Sequence, residues 1–393
     1  MEYRRFGRTE LQIPVLSCGG MRYQQGWSSL TPEEVEKENQ DNLEATIHEA
    51  FSNGIYHIET ARGYGSSEMQ LGWVLPQLDR DKLIAQTKVG PESDVNDFRS
   101  NLEESFERLN LDYLDLFAFH GINTFDIFDK TFSKGGCLEV IREFQKDGRI
   151  RHIGFSSHGS KELLLKIIAT DELDYMNFHY YYFDQMNAPI LEAAAEKDMG
   201  VFIISPSDKG GMLYSPPDKL VSLCEPFTPM GFNDLWCLSH PDIHTISVGA
   251  SKPSDFKEHL DIISHLQDAA TVIAEPLARL DQTFLDTFDA EWVTNWKSGI
   301  STLVPLEGQV SVYHVLRLHN LCKAYDMHEF GKMRYNLFGN GGHWFAGAKV
   351  DQVADNSIRE FIKESPIADR IIRVLHETHE LLNADDKKRL SES

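Results

Sequence analysis

Three features of the chain predict an α/β fold, a closed (β/α)8 TIM barrel with a C-terminal helical extension. Strand-like and helix-like stretches alternate eight times between Val15 and Leu266. Eight repeats favour a closed barrel over an open sheet. No Gly-x-Gly-x-x-Gly follows the first strand, which counts against a doubly wound dinucleotide fold. The 393 residues accommodate a barrel of roughly 250 residues and leave an appendage.

The elements follow in order. Glu2–Pro14 mixes charged and apolar positions around Gly7-Arg8-Thr9 and reads as a short β-hairpin. Val15–Cys18 is the first barrel strand, ending in Gly19-Gly20, and Glu34–Ser52 is its helix, with Gly54 beyond it. In the second strand, Tyr56–Thr60, Tyr56 and Ile58 alternate with His57 and Glu59, and the turn formers Gly63 and Gly65 follow. Ser66 or Ser67 then caps a helix running to Leu78. The third pair is Leu83–Lys88 with Asp97–Leu109. The fourth is Tyr113–His120 with Cys137–Asp147, stopped by Gly148, and the fifth is His152–Ser156 with Lys161–Ala169. The sixth pair is Tyr175–Tyr180 with Ala188–Asp198. Val201–Ser205 is the seventh strand, and a loop rich in Pro and Gly leads to its helix, Phe232–Ser239. The eighth pair is Thr245–Val248 with Pro253–Leu266.

Residues 1–285 form the barrel domain in this reading, and residues 286–393 form a helical C-terminal domain. Glu291–Met333 reads as helical in part, a Gly-rich turn covers Leu337–Gly342, and helices follow at Ser357–Glu364 and Pro366–Asn383. Ser365 is the expected cap of the last helix, ahead of a proline at its first position. Ile367, Ile371, Val374, Leu375 and Leu381 recur there at helical spacing. The tail Asp385–Ser393 is charged and expected to fray.

Composition narrows the function classes. A net charge of −23 argues against nucleic acid or an anionic membrane as the main partner, while leaving room for a small basic pocket. No apolar run approaches the ~18 residues of a membrane span, and Met1–Gly7 lacks the apolar core of a signal peptide. The five cysteines, Cys18, Cys137, Cys224, Cys237 and Cys322, include no pair at Cys-x-x-Cys spacing. Free thiols of that kind suit the cytoplasm.

The stretch His57-Ile58-Glu59-Thr60-Ala61-Arg62-Gly63-Tyr64-Gly65-Ser66-Ser67-Glu68 places an acid at a strand end and a tyrosine five residues later. On a parallel barrel that end carries the chemistry. The next strand ends on Lys88 and the following one on His120. The motif resembles the "DTA...YG.SE" signature of the aldo-keto reductases, with Glu59 in the place of the family's aspartate. The resemblance covers roughly Met1–Leu266. It implies a catalytic set of Tyr64, Lys88, Glu59 and His120, and an oxidoreductase that interconverts a small-molecule carbonyl and an alcohol with NADP(H) as the expected cofactor and NAD(H) as the possible one. A tyrosine holds its proton at neutral pH, since its ordinary pKa is near ~10, and a neighbouring cation eases the release of that proton. Lys88 would be that cation, Glu59 its anchor, and His120 the donor that orients the carbonyl oxygen.

The same resemblance implies the cofactor positions. Gly20, Met21 and Arg22 would meet the nicotinamide ribose. Ser156 and Ser157 replace the family's Ser-Asn pair at the carboxamide, Asn177 replaces its glutamine, and His179 would assist. Ser205 and Lys209 would meet the pyrophosphate. Gly249, Ser251, Lys252 and Asp255 start a helix suited to an anion, here the 2′-phosphate of NADP, with NAD as the other form. His259 would face the adenine. His57, Arg62, Phe119 and the loop Asn123–Lys134 would shape the substrate pocket. Longer members of the family carry a ferredoxin-like module in the place of the C-terminal domain. With Cys322 as its one cysteine, the segment here would hold no iron–sulfur cluster and no metal; it would instead cap the barrel mouth or mediate contacts. A barrel that has lost redox activity and serves as a cofactor-binding or regulatory subunit is the alternative reading. Nothing in the sequence sets an oligomeric state.

Overall fold

The computed structural model describes residues 1–300 and 308–389. The expected partial helix Glu291–Met333 and the charged tail therefore extend in part outside the described residues. An N-terminal hairpin pairs Tyr3–Arg5 with Gln12–Pro14 in antiparallel register. The eight strands that follow are Leu16–Gly19, His57–Glu59, Ile84–Val89, Leu114–Phe119, Ile150–Ser156, Tyr175–Phe178, Gly200–Ile203 and Thr245–Val248. They form a closed parallel barrel in sequence order, with Thr245–Val248 pairing back onto Leu16–Gly19. The predicted fold class is observed.

Most of the strands are buried on both faces, as a parallel barrel requires, the exception being the lower end of Ile150–Ser156, where Arg151 is exposed. At the bottom, Phe6 and Ile13 from the hairpin pack with Ile84, Leu116, Tyr175 and Phe202, so the hairpin plugs that end. The helices bury their apolar faces on the outside. Val95–Leu109 is representative: Phe98, Leu102, Phe106 and Leu109 recur on its buried face, and the Asp94 side chain accepts from the Asn96 amide at 2.8 Å.

Boundaries move where local polar chemistry intervenes. The first helix starts at Lys37 rather than Glu34, because Thr31 and Glu34 form a capping box around a separate turn, Pro32–Glu34. Residues Phe125–Phe132, expected as loop, are a helix capped by Thr124. Asp218–Cys224, inside the expected Pro- and Gly-rich loop, is another.

The expected junction at 285/286 falls inside a helix, Ala274–Thr287. After it come Ala290–Asn295, Val312–Tyr325, His328–Tyr335, Asp355–Phe361 and Ala368–Leu382. Val312–Tyr325 is buried on almost every side and lies between the barrel and the last helix. Its Arg317 donates to Phe183 O at 2.6 Å, and its Asn320 accepts from Trp292 Nε1 at 2.9 Å. Ser365 does not cap the last helix; Ile367 holds that position, without a side-chain bond. Among the described residues no helix is long and apolar enough to cross a membrane.

Candidate active site

Glu59 ends the second strand and pairs in register with Gln86, which places Lys88 one turn of the pleat further up the third. The following loop is pinned to that strand: Thr60 N bonds Gln86 O and Arg62 N bonds Lys88 O, each at 2.9 Å. A turn from Ala61 O to Tyr64 N, also 2.9 Å, then brings the tyrosine back over the mouth. Gly65, at φ +56°, is where a side chain would run into Gly26 O of the loop after the first strand.

The four expected groups converge. Glu59 and Lys88 are almost fully buried and in direct ion-pair contact through Glu59 Oε1 and Lys88 Nζ. Thr60 O also accepts from Lys88 Nζ at 2.8 Å. That ammonium lies 4.8 Å from the Tyr64 ring centroid, and the His120 ring meets Tyr64 edge-on at 5.6 Å. Burial raises the Tyr64 hydroxyl well above its ordinary value, so it keeps its proton until charge develops beside it. Burial pushes Lys88 well down; the Glu59 carboxylate against it works in the opposite direction. His120 is held neutral first by burial, then by the positive charge of Lys88.

Beneath this set lies a polar layer that the sequence reading assigned elsewhere. His57 does not line a substrate pocket. It is fully buried, bonded to Ser17 Oγ at 2.6 Å and Gln86 Oε1 at 2.9 Å, and burial lowers it to about 3. It shares a strand face with Glu59, two residues on, and that face points into the barrel. Arg62 turns away to pair with Glu104, and Phe119 is core.

The expected cofactor residues divide into two groups. Asn177 is fully buried and neither atom of its amide has a partner, a polar vacancy that a carboxamide would satisfy. Gly20 packs against Glu59 O and the Thr60 hydroxyl, which leaves no room for a side chain beside Glu59. These residues fit a nicotinamide. Met21 is partly buried and Gly249 exposed at the same end. Ser205 turns the chain at φ +54°.

Other expected contacts are engaged within the chain. Ser156 Oγ accepts from Gly121 N at 3.0 Å; Ser157 Oγ donates to Ile122 O at 2.6 Å and accepts from Gly159 N at 2.9 Å. Both serines tie the fourth and fifth loops together rather than facing a carboxamide. Arg22 pairs with Asp208 at 3.0 Å, bridging the first and seventh loops. Asp255 Oδ2 accepts from both the amide and the hydroxyl of Ser251, at 2.9 and 2.8 Å, while Lys252 stays exposed. His259 is corrected most clearly. It is buried, with Nδ1 on Asp234 Oδ2 at 2.5 Å, and that pairing turns it inward from the adenine side.

His179 and Lys209 belong to a neighbouring cluster. His179 Nε2 is 3.2 Å from His158 Nε2, and Lys209 Nζ is 3.3 Å from the same nitrogen. Sequence reasoning missed the roof of the site. Trp344 stands with its ring 5.0 Å from His120 and 5.1 Å from His158, and its carbonyl accepts from the His158 ring at 3.0 Å. His343 Nδ1 bonds the Asn123 amide at 2.9 Å. The one signal in the sequence was an exposed-looking aromatic, His343-Trp344-Phe345, directly after a Gly-rich turn.

A parallel barrel with a buried tyrosine, lysine, acid and histidine at its C-terminal mouth defines an oxidoreductase acting on carbonyls and alcohols. The aldo/keto reductase family model matches residues 15–218, just over half of the chain, and the chain belongs to that family. It is 25% identical to L-galactose dehydrogenase of Arabidopsis thaliana over 340 residues, 76% of this chain and 98% of that one. It is 24% identical to the NADH-specific methylglyoxal reductase of Escherichia coli over 294 residues, 60% of this chain and 88% of that one. An aldo-keto reductase from Bacillus halodurans, solved in its holo form, shares the fold at a TM-score of 0.56 and 20% identity; 68% of this chain and 96% of that one are covered.

Proposed function

We propose that the protein reduces a carbonyl compound with a nicotinamide cofactor, Tyr64 giving the proton. The observation that carries this reading is the contact of Tyr64 with both the Lys88 ammonium and the His120 ring. When bound, the cofactor supplies a hydride. Tyr64 holds its proton in the ground state and passes it to the carbonyl oxygen as negative charge forms there. Lys88, anchored by Glu59 and Thr60 O, stabilises the phenolate left behind. His120, kept neutral, orients the oxygen by hydrogen bonding. Asn177 and the Gly20–Met21 turn would hold the nicotinamide end.

Against the expected preference for NADP(H), the Asp255 contacts favour NAD(H). Its carboxylate already occupies the donors on Ser251 that a 2′-phosphate would need, and it would repel that phosphate. Dissociation constants by fluorescence quenching should show NADH tighter than NADPH, and Asp255→Asn should shift the ratio toward NADPH by roughly tenfold, one charge-assisted contact's worth. An unchanged ratio removes Asp255 from cofactor choice.

The five buried free thiols support the cytoplasmic expectation. We read the C-terminal domain as a cap on the barrel mouth, supported by the seat of Trp344. Its ferredoxin-like ancestry rests on position alone; Cys322 is core, its thiol 3.5 Å from Met327 O.

The deciding experiment is single-turnover oxidation of bound NAD(P)H by a panel of aldehydes and ketones. Tyr64→Phe should lose about 10²–10⁴-fold in rate, the usual value of general acid help. Lys88→Met should lose a similar amount, and the double variant little more, because both act on one proton transfer. Reduction at the parental rate by Tyr64→Phe would show that Tyr64 is not the acid.

A further inference from the structure

Beside the mouth, lined in part by the Trp344 indole that His120 also meets, lies a cavity between the barrel and the C-terminal helices. The barrel contributes His158, His179 and Lys209 from the ends of strands five, six and seven; the C-terminal helices contribute Arg317 and Arg334. One carboxylate, Asp184, lines it, and it is already paired with Arg317 at 3.3 Å. The Arg334 guanidinium lies over the Phe345 ring at 3.9 Å and makes no hydrogen bond or ion pair among the described residues. The nearest polar partner of Lys209 Nζ is an imidazole. Burial and the charge of Arg334 push Lys209 down to about 7, and burial brings Arg334 down to about 10.

This arrangement runs against the rest of the molecule. A chain of net charge −23 places Lys209 and Arg334 in one half-buried cavity with no carboxylate in direct ion-pair contact with either among the described residues; Asp208, which acts on both from a distance, is itself paired with Arg22. The cavity is also unfinished in its polar bonding: Asn187, almost fully buried in its wall, has an amide oxygen with no partner. An anion with hydroxyl groups would answer both features. The His120 and His158 rings touch the same indole, so an anion held here lies a few carbon atoms from a carbonyl held at Tyr64 and His120.

We propose that this cavity binds the anionic group, a carboxylate or a phosphate, of the substrate, so that the enzyme's substrates are small oxo acids or phosphorylated carbonyl compounds rather than neutral aldehydes. The assignment to a substrate rests on the function proposed above. The cofactor's pyrophosphate is the other source of such an anion, because Lys209 leaves the seventh strand.

The test has two arms. In the first, calorimetry measures binding of inorganic phosphate and of succinate to the full chain, with and without saturating NADH. Binding in both states, lost in Arg334→Met while that variant's melting temperature is maintained, supports an anion site separate from the cofactor. Binding that vanishes once NADH is present, or no binding at all, overturns the proposal. This arm does not depend on turnover, so it stands even if the carbonyl chemistry fails. In the second arm, kcat/KM is compared within matched pairs, succinate semialdehyde against butanal and glyceraldehyde 3-phosphate against glyceraldehyde. The charged member of at least one pair should be preferred by about tenfold or more, and Arg334→Met should erase most of that ratio through KM. Equal use of charged and neutral members, or a greater loss of NADH affinity than of anion affinity in Arg334→Met, assigns the cations to another role and overturns the proposal.

Discussion

Asn177 shows how a single side chain can stand against the stability of the fold. Its amide sits at the end of the sixth strand with no exposure and no partner on either atom. An unsatisfied buried polar group costs about 1–3 kcal/mol, so the free protein keeps this residue against its own stability. Asn177→Leu, close in volume, should therefore raise the melting temperature of the cofactor-free protein and weaken NAD(P)H binding. Thermal scans with and without cofactor check both signs together; a variant less stable in both states would mean that the amide has a structural partner. The convergence of Tyr64, Lys88, Glu59 and His120 was legible in the sequence because each lies at or just after a strand end, at a spacing that the strand itself enforces. The partners of Ser157, Ser251 and His259 were not. Ser157 and His259 are satisfied by groups whose positions depend on how two loops or helices pack, as in the pairing of His259 with Asp234, and no spacing rule reports that; Ser251 is met locally, by Asp255 four residues on.

At the scale of elements, the segment Gly341–Phe345 matters most. It comes from the C-terminal domain and yet forms the wall next to His120. Close approach is possible because Gly121, directly after His120, lacks a side chain: a Cβ there would meet the Trp344 ring inside van der Waals contact. Gly121 also holds φ +75°, a conformation costly for other residues by about 1–3 kcal/mol. Gly121→Ala should lower stability by that order and lift Trp344 from its seat. Hydrogen exchange should then accelerate at residues 341–347 while the strand Leu114–Phe119 stays protected. Unchanged exchange at that segment would mean that the indole is held from elsewhere. Most strands and barrel helices could be read from the chain, since alternating apolar runs and Gly breaks mark them. The helix Phe125–Phe132 could not, because eight residues give only about two turns of periodicity and no glycine directly follows them.

At the scale of the whole molecule, the barrel and the C-terminal helices share one hydrophobic core. Leu280, Trp292, Leu316, Tyr325 and Leu375 belong to the same buried cluster as the residues between strands and helices. Polar ties cross the same boundary: Tyr182 donates to Asp281 at 2.7 Å, Tyr325 to Leu280 O at 3.2 Å, and Arg317 to Phe183 O at 2.6 Å. A sequence shows where a barrel's repeats stop, but not that the next helix continues across the stop; the helix Ala274–Thr287 does so because its buried face meets the barrel's seventh crossover and Val312–Tyr325 at once. Cutting the chain after Thr287 would uncover Leu280 and Phe183 and leave Asp184 without Arg317. Exposing a core face of that kind costs roughly 1.5–3 kcal/mol for each large side chain returned to water, and a few such losses match the net stability of a typical domain. A chain of residues 1–287 should therefore be aggregation-prone or molten, and the full chain should melt in one calorimetric transition coincident with the loss of near-ultraviolet circular dichroism. The result that would sink this is a monomeric 1–287 protein with the parental melting temperature, which would make the C-terminal helices a separable cap.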